Sequence, residues 1–130
     1  MSVCYVRKIK LMKALSIGAK HIDKIFDDVY GCKMYKHEYV MKILNSKTYG
    51  MKKMGSIPKD LCSKMELCLE ISDVFGVSVR DAYKILKPYV KKKKKNSDHI
   101  PMISLCDRVV RFPKYDAISW LIKKRNNPMD

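Results

Sequence analysis

The stretch EISDVFGVSVRDAYKIL, residues 70–86, decides the fold predicted for this chain. Apolar residues recur at helical spacing on both sides of Gly76, which predicts two short helices joined by a tight turn. Glycine suits such a turn because it adopts positive φ without strain. Ser78 follows two residues later, and a serine hydroxyl commonly caps the first turn of a helix. The question is whether these two helices only pack together or also bind DNA.

Two helices joined by a turn of a few residues cross steeply, as in a helix-turn-helix unit. The inward positions of such a unit are filled here by Ile71, Phe75, Val77, Ala82 and Ile85. The outward face of the second helix is predicted to carry Ser78, Val79, Arg80, Tyr83, Lys84 and Lys87. Cations and an aromatic ring on that face suit contact with base edges and phosphates. An ordinary packed helix pair is the alternative, since amphipathic helices around a glycine are common.

The charge of the chain is strongly positive, with 28 Lys and Arg residues against 13 Asp and Glu, or +15 over 130 residues. The excess is present in both halves, with 14 basic and 5 acidic residues up to Met65 and 14 and 8 after it. It indicates a polyanionic partner, because it otherwise only repels itself. Nucleic acid is favoured over a membrane, since no apolar insertion helix adjoins the polybasic run. That run is expected to attract phosphates through Lys91, Lys92, Lys93, Lys94 and Lys95.

The rest of the chain is predicted to be mainly helical with one small β-hairpin. Helical spacing predicts helices over residues 8–19, 20–30 and 36–44, and a longer one from Ile57 to Leu69. Residues 45–56 are predicted to form a loop. Two β-prone runs, 102–105 and 108–112, predict a hairpin, and a final helix begins at Pro113 or Lys114. Trp120 lies within the apolar pattern of that helix and is predicted to be core.

The segments EISDVFGVSVRDAYKILK and IPMISLCDRVVRFPKYDAISWLIKKR together resemble the excisionase/MerR-like winged helix-turn-helix family of small DNA-binding proteins. The shared features are Gly-Val-Ser before the second helix, Ile-Pro before the hairpin, a basic strand ending in Arg-Phe, and Trp-Leu in the last helix. The resemblance covers residues 65–125, after an N-terminal helical region over 1–64. It implies major-groove contact from the second helix and wing contact from Arg108 and Arg111. The segment 88–99 departs from the family, which has only a few residues between the second helix and the wing.

The resemblance implies a double-stranded DNA-binding protein with no catalytic activity. Its expected role is an accessory factor that bends DNA beside a recombinase of a mobile element, with copies of itself on adjacent sites. A transcriptional regulator is the alternative, and a non-specific RNA-binding or nucleoid-packing protein is the alternative from another class. The expected location is cytoplasmic, on the nucleoid in a bacterium, or nuclear in a eukaryote or virus.

An internal repeat is a further hypothesis, because DDVYGCKMYKHEYVMKIL (27–44) is similar to SDVFGVSVRDAYKIL (72–86). In the same way, SIPKDLCSKMELCL (56–69) is similar to RFPKYDAISWLIKK (111–124). These matches predict two tandem related units, 22–69 and 69–125, the first a degenerate winged-helix unit. Its DNA-facing surface would consist of Lys33, Lys36, His37, Lys42, Lys47, Lys52 and Lys53. The alternative is coincidence within a lysine-rich helical sequence.

The motifs of enzymes, cofactors and metals are missing from this sequence. There is no phosphate-binding glycine loop, no HExxH and no nucleophile elbow. Five residues separate Cys62 from Cys68, which is not the spacing of a zinc site, so both are expected to be buried free thiols. An odd number of cysteines, five, indicates reduced thiols in the cytosol. No apolar stretch is long enough to span a bilayer, and lysines interrupt the only candidate secretory signal.

Overall fold

The computed structural model describes residues 4–91, 98–106 and 108–126 of the chain. Within these ranges the fold is mixed α and β, with six α-helices and two small antiparallel sheets. The elements follow in the order β1 (Tyr5–Arg7), α1 (Lys8–Leu15), α2 (Ala19–Ile25), β2 (Met34–Lys36), α3 (His37–Asn45), β3 (Thr48–Tyr49), β4 (Leu61–Cys62), α4 (Lys64–Phe75), α5 (Val79–Leu86), β5 (Met102–Cys106), β6 (Val109–Pro113) and α6 (Lys114–Asn126). A 3₁₀ turn, Lys87–Tyr89, follows α5.

The helices α4 and α5 form the pair predicted from residues 70–86. Gly76 ends α4 in the left-handed conformation with φ of 65°, and Val77 N–H returns to Ser72 O at 3.1 Å. The hydroxyl of Ser72 donates to Val77 O at 2.5 Å, which fixes the turn from the other side. Ser78 then caps α5, since its hydroxyl oxygen accepts from Asp81 N–H at 3.1 Å. Local sequence and backbone geometry therefore agree over this stretch.

The helix expected to begin near Pro58 begins instead at Lys64. Ser63 and Glu66 form a capping box: Ser63 Oγ accepts from Glu66 N–H, and the Glu66 carboxylate accepts from Ser63 N–H. Residues Leu61–Cys62 before it are a strand. The later start rotates the buried stripe to Leu67, Cys68 and Ile71. Met65 and Leu69, which lie on the other side of the helix, are exposed.

The predicted hairpin is present as β5 and β6, within a four-stranded sheet of order β3-β5-β6-β4. In a second sheet β1 pairs with β2. The hairpin does not project freely, because β5 packs against α2 and contributes Ile103 and Leu105 to the core of the first half. Met102, at the start of the same strand, belongs to the core of the second half. The sheet thus joins the two halves of the chain.

Two hydrophobic cores lie on either side of this sheet. The first contains Leu11, Leu15, Ile22, Ile25, Phe26, Tyr35, Val40, Met41, Leu44, Ile103 and Leu105. The second contains Cys62, Leu67, Cys68, Ile71, Ala82, Leu86, Ile100, Met102, Phe112, Ala117, Ile118 and Leu121. The expected boundary between residues 64 and 65 falls inside α4, whereas Cys62 on the preceding strand already belongs to the second core.

The second helix of the first half is shorter than predicted. It ends at Ile25, because Asp27 has φ of 51° and the carboxylate of Asp28 organises the following loop. Val29 and Tyr30, assigned to the helix from sequence, are 84% and 93% exposed. Gly31 therefore lies in a loop that leads to β2, a strand that was not predicted.

The predicted alignment of the internal repeat, which matches Gly31 with Gly76, is wrong because the two glycines lie in different local structures. Gly76 joins two helices, whereas Gly31 is followed by a strand. Likewise Pro113 leads directly into α6, whereas the residues after Pro58 form a turn and then β4. The seven lysine and histidine residues proposed for a second DNA-facing surface accordingly do not share one helix. They are distributed over a loop, β2, α3 and the segment after it.

The loop after α2 predicts a pH dependence of stability. The Asp28 carboxylate accepts from Tyr35 Oη at 2.6 Å and from Cys32 N–H at 2.6 Å. The hydrogen bond from Tyr35, followed by those from backbone N–H groups, lowers the pKa of Asp28 below the usual value. A lowered folded pKa means that the stabilisation is complete above the ordinary carboxyl pKa, about 4, and is lost as pH falls through the folded value.

We therefore expect Asp28→Asn to lower the Tm at pH 7, and the gap from the parent protein to close below about pH 4. Thermal unfolding followed by circular dichroism across about pH 3–8 measures this gap. Asp27→Asn is the matched control, since Asn tolerates the left-handed conformation of that exposed neighbour. A gap that stays constant with pH would rule out the carboxylate as the source of the stabilisation.

Candidate nucleic-acid interface

The outward face of α5 carries the six residues that the sequence predicted for it. Ala82 and Leu86 are buried against the second core and fix the rotation of the helix. The opposite side is exposed and contains Ser78, Val79, Arg80, Tyr83, Lys84 and Lys87. Arg80, Lys84 and Lys87 follow one another at i, i+4 and i+7, so their charges lie along one stripe. The structure therefore brings three cations together beside one exposed aromatic ring.

Each end of this face has a defined geometry. Arg80 is in the first turn of α5, next to the cap made by Ser78. Because the Ser78 hydroxyl accepts from Asp81 N–H, its local role is to hold the helix start rather than to point freely outward. At the other end Lys87 begins the 3₁₀ turn and is exposed.

A cation from α4 extends this face and was missed from the sequence. Lys64 Nζ lies 4.8 Å from the centroid of the Tyr83 ring, within the range of a cation–π contact. The contact places a positive charge over one face of the Tyr83 ring. No local pattern signals it, because Lys64 and Tyr83 are nineteen residues apart and meet only when the helices cross.

The two arginines expected in the wing have different surroundings. Arg108 is exposed in the hairpin turn, with φ of 62°. Arg111 instead reaches the C-terminal end of α1: its Nε donates to Leu15 O at 2.8 Å and its Nη2 to Ser16 O at 2.7 Å. A third bond, from Nη1 to Val110 O, is 2.7 Å. A guanidinium cation at the C-terminal end of a helix also interacts favourably with the negative end of the helix dipole. Arg111 thus links the two halves of the chain.

The lysine run lies mostly outside the described residues, which include only Lys91, an exposed side chain. Lys91 and the residues that follow the run, Asp98 and His99, make contacts within the second half. The buried ring of His99 lies with its two nitrogens 2.9 Å and 2.7 Å from the carbonyl oxygens of Lys91 and Ile100. Asp98 accepts from Trp120 Nε1 at 3.1 Å and forms an ion pair with Lys124. Lys91 and Asp98, the described residues on either side of segment 92–97, are therefore both held on the second half.

Trp120 helps to anchor this loop and is only half-buried. Its ring packs edge-on against Tyr89, with the centroids 5.0 Å apart, and borders the second core. Since its indole N–H is held by Asp98, the ring is fixed in place. It borders the second core and also ties α6 to Asp98, which follows the lysine run in the sequence.

The cysteines Cys62 and Cys68 have the environments of structural thiols. Both are buried, and burial raises the pKa of Cys62 to about 11 and that of Cys68 above its usual value. In the described part of the chain no group of three or more His, Cys, Asp or Glu side chains is arranged to hold a metal ion. Among those same residues, no helix has both the length and the hydropathy needed to cross a bilayer.

The fold and this surface define an α+β protein in which a cationic helix, α5, is presented by the α4–α5 helix pair. Comparison with protein-family models, with curated proteins and with solved structures finds no match for this chain.

Proposed function

We propose that this chain is a sequence-specific double-stranded DNA-binding protein that inserts α5 into the major groove. The observation that carries the proposal is the exposed face of α5, with three cations and Tyr83 presented by a helix that crosses its partner after a three-residue turn. The net charge of +15 supplies attraction to phosphates along the whole chain. In this interpretation the α4–α5 pair is a helix-turn-helix unit.

The residues of this face divide by the chemistry they offer to DNA. The major groove of B-DNA is about 12 Å wide and admits an α-helix, whose first turns reach the base edges. Arg80 and Lys84 are suited to the acceptor atoms of guanine, and Tyr83 to an apolar or hydrogen-bonding contact. Lys87 and Lys91, further along, are suited to phosphates, which position the protein but carry no sequence information.

The hairpin β5–β6 would be the wing of a winged helix-turn-helix domain. Arg108, exposed in its turn, is the proposed backbone or minor-groove contact. Arg111 is left out of the proposed contacts, because its guanidinium is bonded to carbonyl groups of α1. The resemblance to the excisionase/MerR-like family supports a role as an accessory factor in DNA recombination, with transcriptional regulation as the second candidate.

The proposal predicts that Arg80→Ala/Tyr83→Ala abolishes specific recognition without unfolding the protein. Each good base contact contributes about 1–3 kcal/mol of discrimination, so the double variant should bind the selected site about 30-fold or more weakly. The measurement is selection of bound duplexes from random sequence at near-physiological salt, followed by titration of the recovered site. Tyr5→Ala/Arg7→Ala is the matched control, since it removes the same residue types from exposed positions on β1. It should bind within about threefold of the parent, as expected for surface changes away from the proposed DNA contacts.

The arrangement of the recovered motif would separate the two roles. Direct repeats would favour several copies bound side by side, as an accessory recombination factor requires. A palindrome would favour a symmetric dimer and a transcriptional role. If no motif emerged and the double variant bound duplex DNA as well as the parent, the protein would belong to the non-specific RNA-binding or DNA-packing class.

A further inference from the structure

The turn between α1 and α2 repeats the turn between α4 and α5 at a constant offset of 60 residues. Ile17 N–H donates to Met12 O at 3.1 Å, and Val77 N–H donates to Ser72 O at 3.1 Å. In each case the acceptor lies five residues before the donor. The helix that follows starts in the same way, with Ile22 N–H bonded to Gly18 O and Ala82 N–H bonded to Ser78 O.

The backbone conformation of the two turns also corresponds. Ser16 and Gly76 both end their helices in the left-handed region, with φ of 53° and 65°. Gly18 and Ser78 both precede the second helix in an extended conformation, with ψ of 171° and 160°. The buried positions match as well: Leu11 corresponds to Ile71 in the first helix, and Ile22 corresponds to Ala82 in the second.

The elements that flank the two helix pairs correspond in their pairing. A strand before each pair is antiparallel to a strand after it, with Val6 opposite Tyr35 in the first half and Cys62 opposite Phe112 in the second. The later strand of each pairing runs directly into a helix, β2 into α3 and β6 into α6. The first N–H of that helix donates to the carbonyl oxygen of the residue just before the earlier strand, β1 or β4. His37 N–H donates to Cys4 O at 2.8 Å, and Lys114 N–H donates to Asp60 O at 3.1 Å.

We infer that the chain is a tandem of two related units, a first unit of residues 4–45 and a second unit of residues 60–126, and that α2 is a second DNA-contacting helix. This inference rests on the proposed function of α5 and extends it to a bipartite DNA site. The correspondence of α2 with α5 identifies which residues of α2 form its outward face. Lys20 and Lys24 occupy the positions of Arg80 and Lys84, so both cationic positions keep their charge.

The remaining outward positions of α2 are compatible with a polyanion. Ala19, exposed, occupies the position of Val79, and His21, also exposed, that of Asp81. Asp23 replaces Tyr83, but its carboxylate is paired with Lys8 Nζ at 2.5 Å, which offsets its charge. The first unit contains nine Lys and Arg residues against four Asp and Glu.

The two DNA-contacting helices would be held at a fixed separation. Arg111 from β6 of the second unit bonds to Leu15 O and Ser16 O, the residues at the turn of the first helix pair. Strand β5 adds Ile103 and Leu105 to the core of the first unit. Because a strand of the second unit packs into the core of the first, DNA bound by one unit is presented to the other without a flexible linker.

The test is the charge reversal Lys20→Glu, compared with Lys10→Glu and Arg80→Glu. Lys10 is exposed on α1 and corresponds to Glu70, so Lys10→Glu makes the same change in charge and introduces the residue that the second unit carries. Binding of a fluorescein-labelled duplex of mixed sequence, about three to four helical turns long, is measured by fluorescence anisotropy over a range of salt concentrations. Thermal unfolding shows that each variant is folded, and glutamate in the first turn of a helix is compatible with the helix dipole.

We expect Lys20→Glu to weaken binding at least about tenfold and to reduce the slope of log K against log salt by about one for each phosphate that the variant no longer neutralises. Lys10→Glu should change the affinity less than about threefold. The effects of Lys20→Glu and Arg80→Glu should multiply in the double variant, because the residues lie in separate units.

Two contrary results have different meanings. If Lys20→Glu is no weaker than Lys10→Glu while Arg80→Glu is impaired, α2 does not contact DNA, and this inference is overturned while the proposed function stands. If Arg80→Glu also binds like the parent, the proposed function fails, and the inference fails with it.

Discussion

Replacing Gly50 by alanine is expected to lower the free energy of unfolding by about 3–5 kcal/mol, among the largest effects of a single substitution. Gly50 has φ of 61°, and a Cβ at this position would lie 1.9 Å from His99 O and 2.8 Å from His99 C. Both are backbone atoms, which cannot rotate away as a flexible side chain would. The residues after β3 and those before β5 would have to separate, which disturbs the anchor of the lysine run at His99.

Gly31→Ala isolates the cost of the backbone conformation alone. Gly31 has φ of 67°, nearly the same as Gly50, but in the described part of the chain no atom beyond its immediate chain neighbours lies within 4 Å of where a Cβ would be. Its replacement should cost about 1 kcal/mol, the ordinary penalty for a left-handed alanine. Urea denaturation of the two variants measures the difference. Equal decreases in stability would mean that the close approach of Gly50 to His99 relaxes without cost.

Replacing Arg111 by methionine is expected to lower the free energy of unfolding by about 2–4 kcal/mol. The substitution keeps an unbranched side chain but removes the donors to Leu15 O and Ser16 O, and it removes the cation at the end of α1. Arg111→Lys keeps the charge but lacks the planar fork that reaches two carbonyl groups together, so it should recover only part of the stability. Denaturant unfolding measures both variants.

Arg108→Met is the matched control for Arg111→Met. Arg108 is exposed at the turn of the same hairpin, so its replacement should change stability by no more than about 0.5 kcal/mol. In the proposed function it should weaken DNA binding instead. If Arg111→Met instead kept full stability but bound DNA more weakly, the result would support the wing contact from Arg111 that the family resemblance implies.

The parts of this fold that could be predicted depend on neighbours within a few residues. Gly76 and Ser78 are residue types with strong local preferences for a left-handed turn and a helix start, so the second helix pair was predicted correctly. The capping box formed by Ser63 and Glu66 carried an equally local signal that could have corrected the start of α4. The equivalent turn in the first half was overlooked because Ser16, not glycine, occupies its left-handed position.

The sequence by itself determined the charge, the α4–α5 helix pair, the hairpin and the identity of the outward face of α5. These follow from composition and from local periodicity, which act within a turn or a strand pair. Only the tertiary structure decided which cations are available to a partner. Arg80 and Arg111 look alike in the sequence, but Arg111 bonds to carbonyl groups 95 and 96 residues away. The tertiary structure also established the correspondence of the two helix pairs, because hydrogen bonds and strand pairing are preserved where the residue types are not.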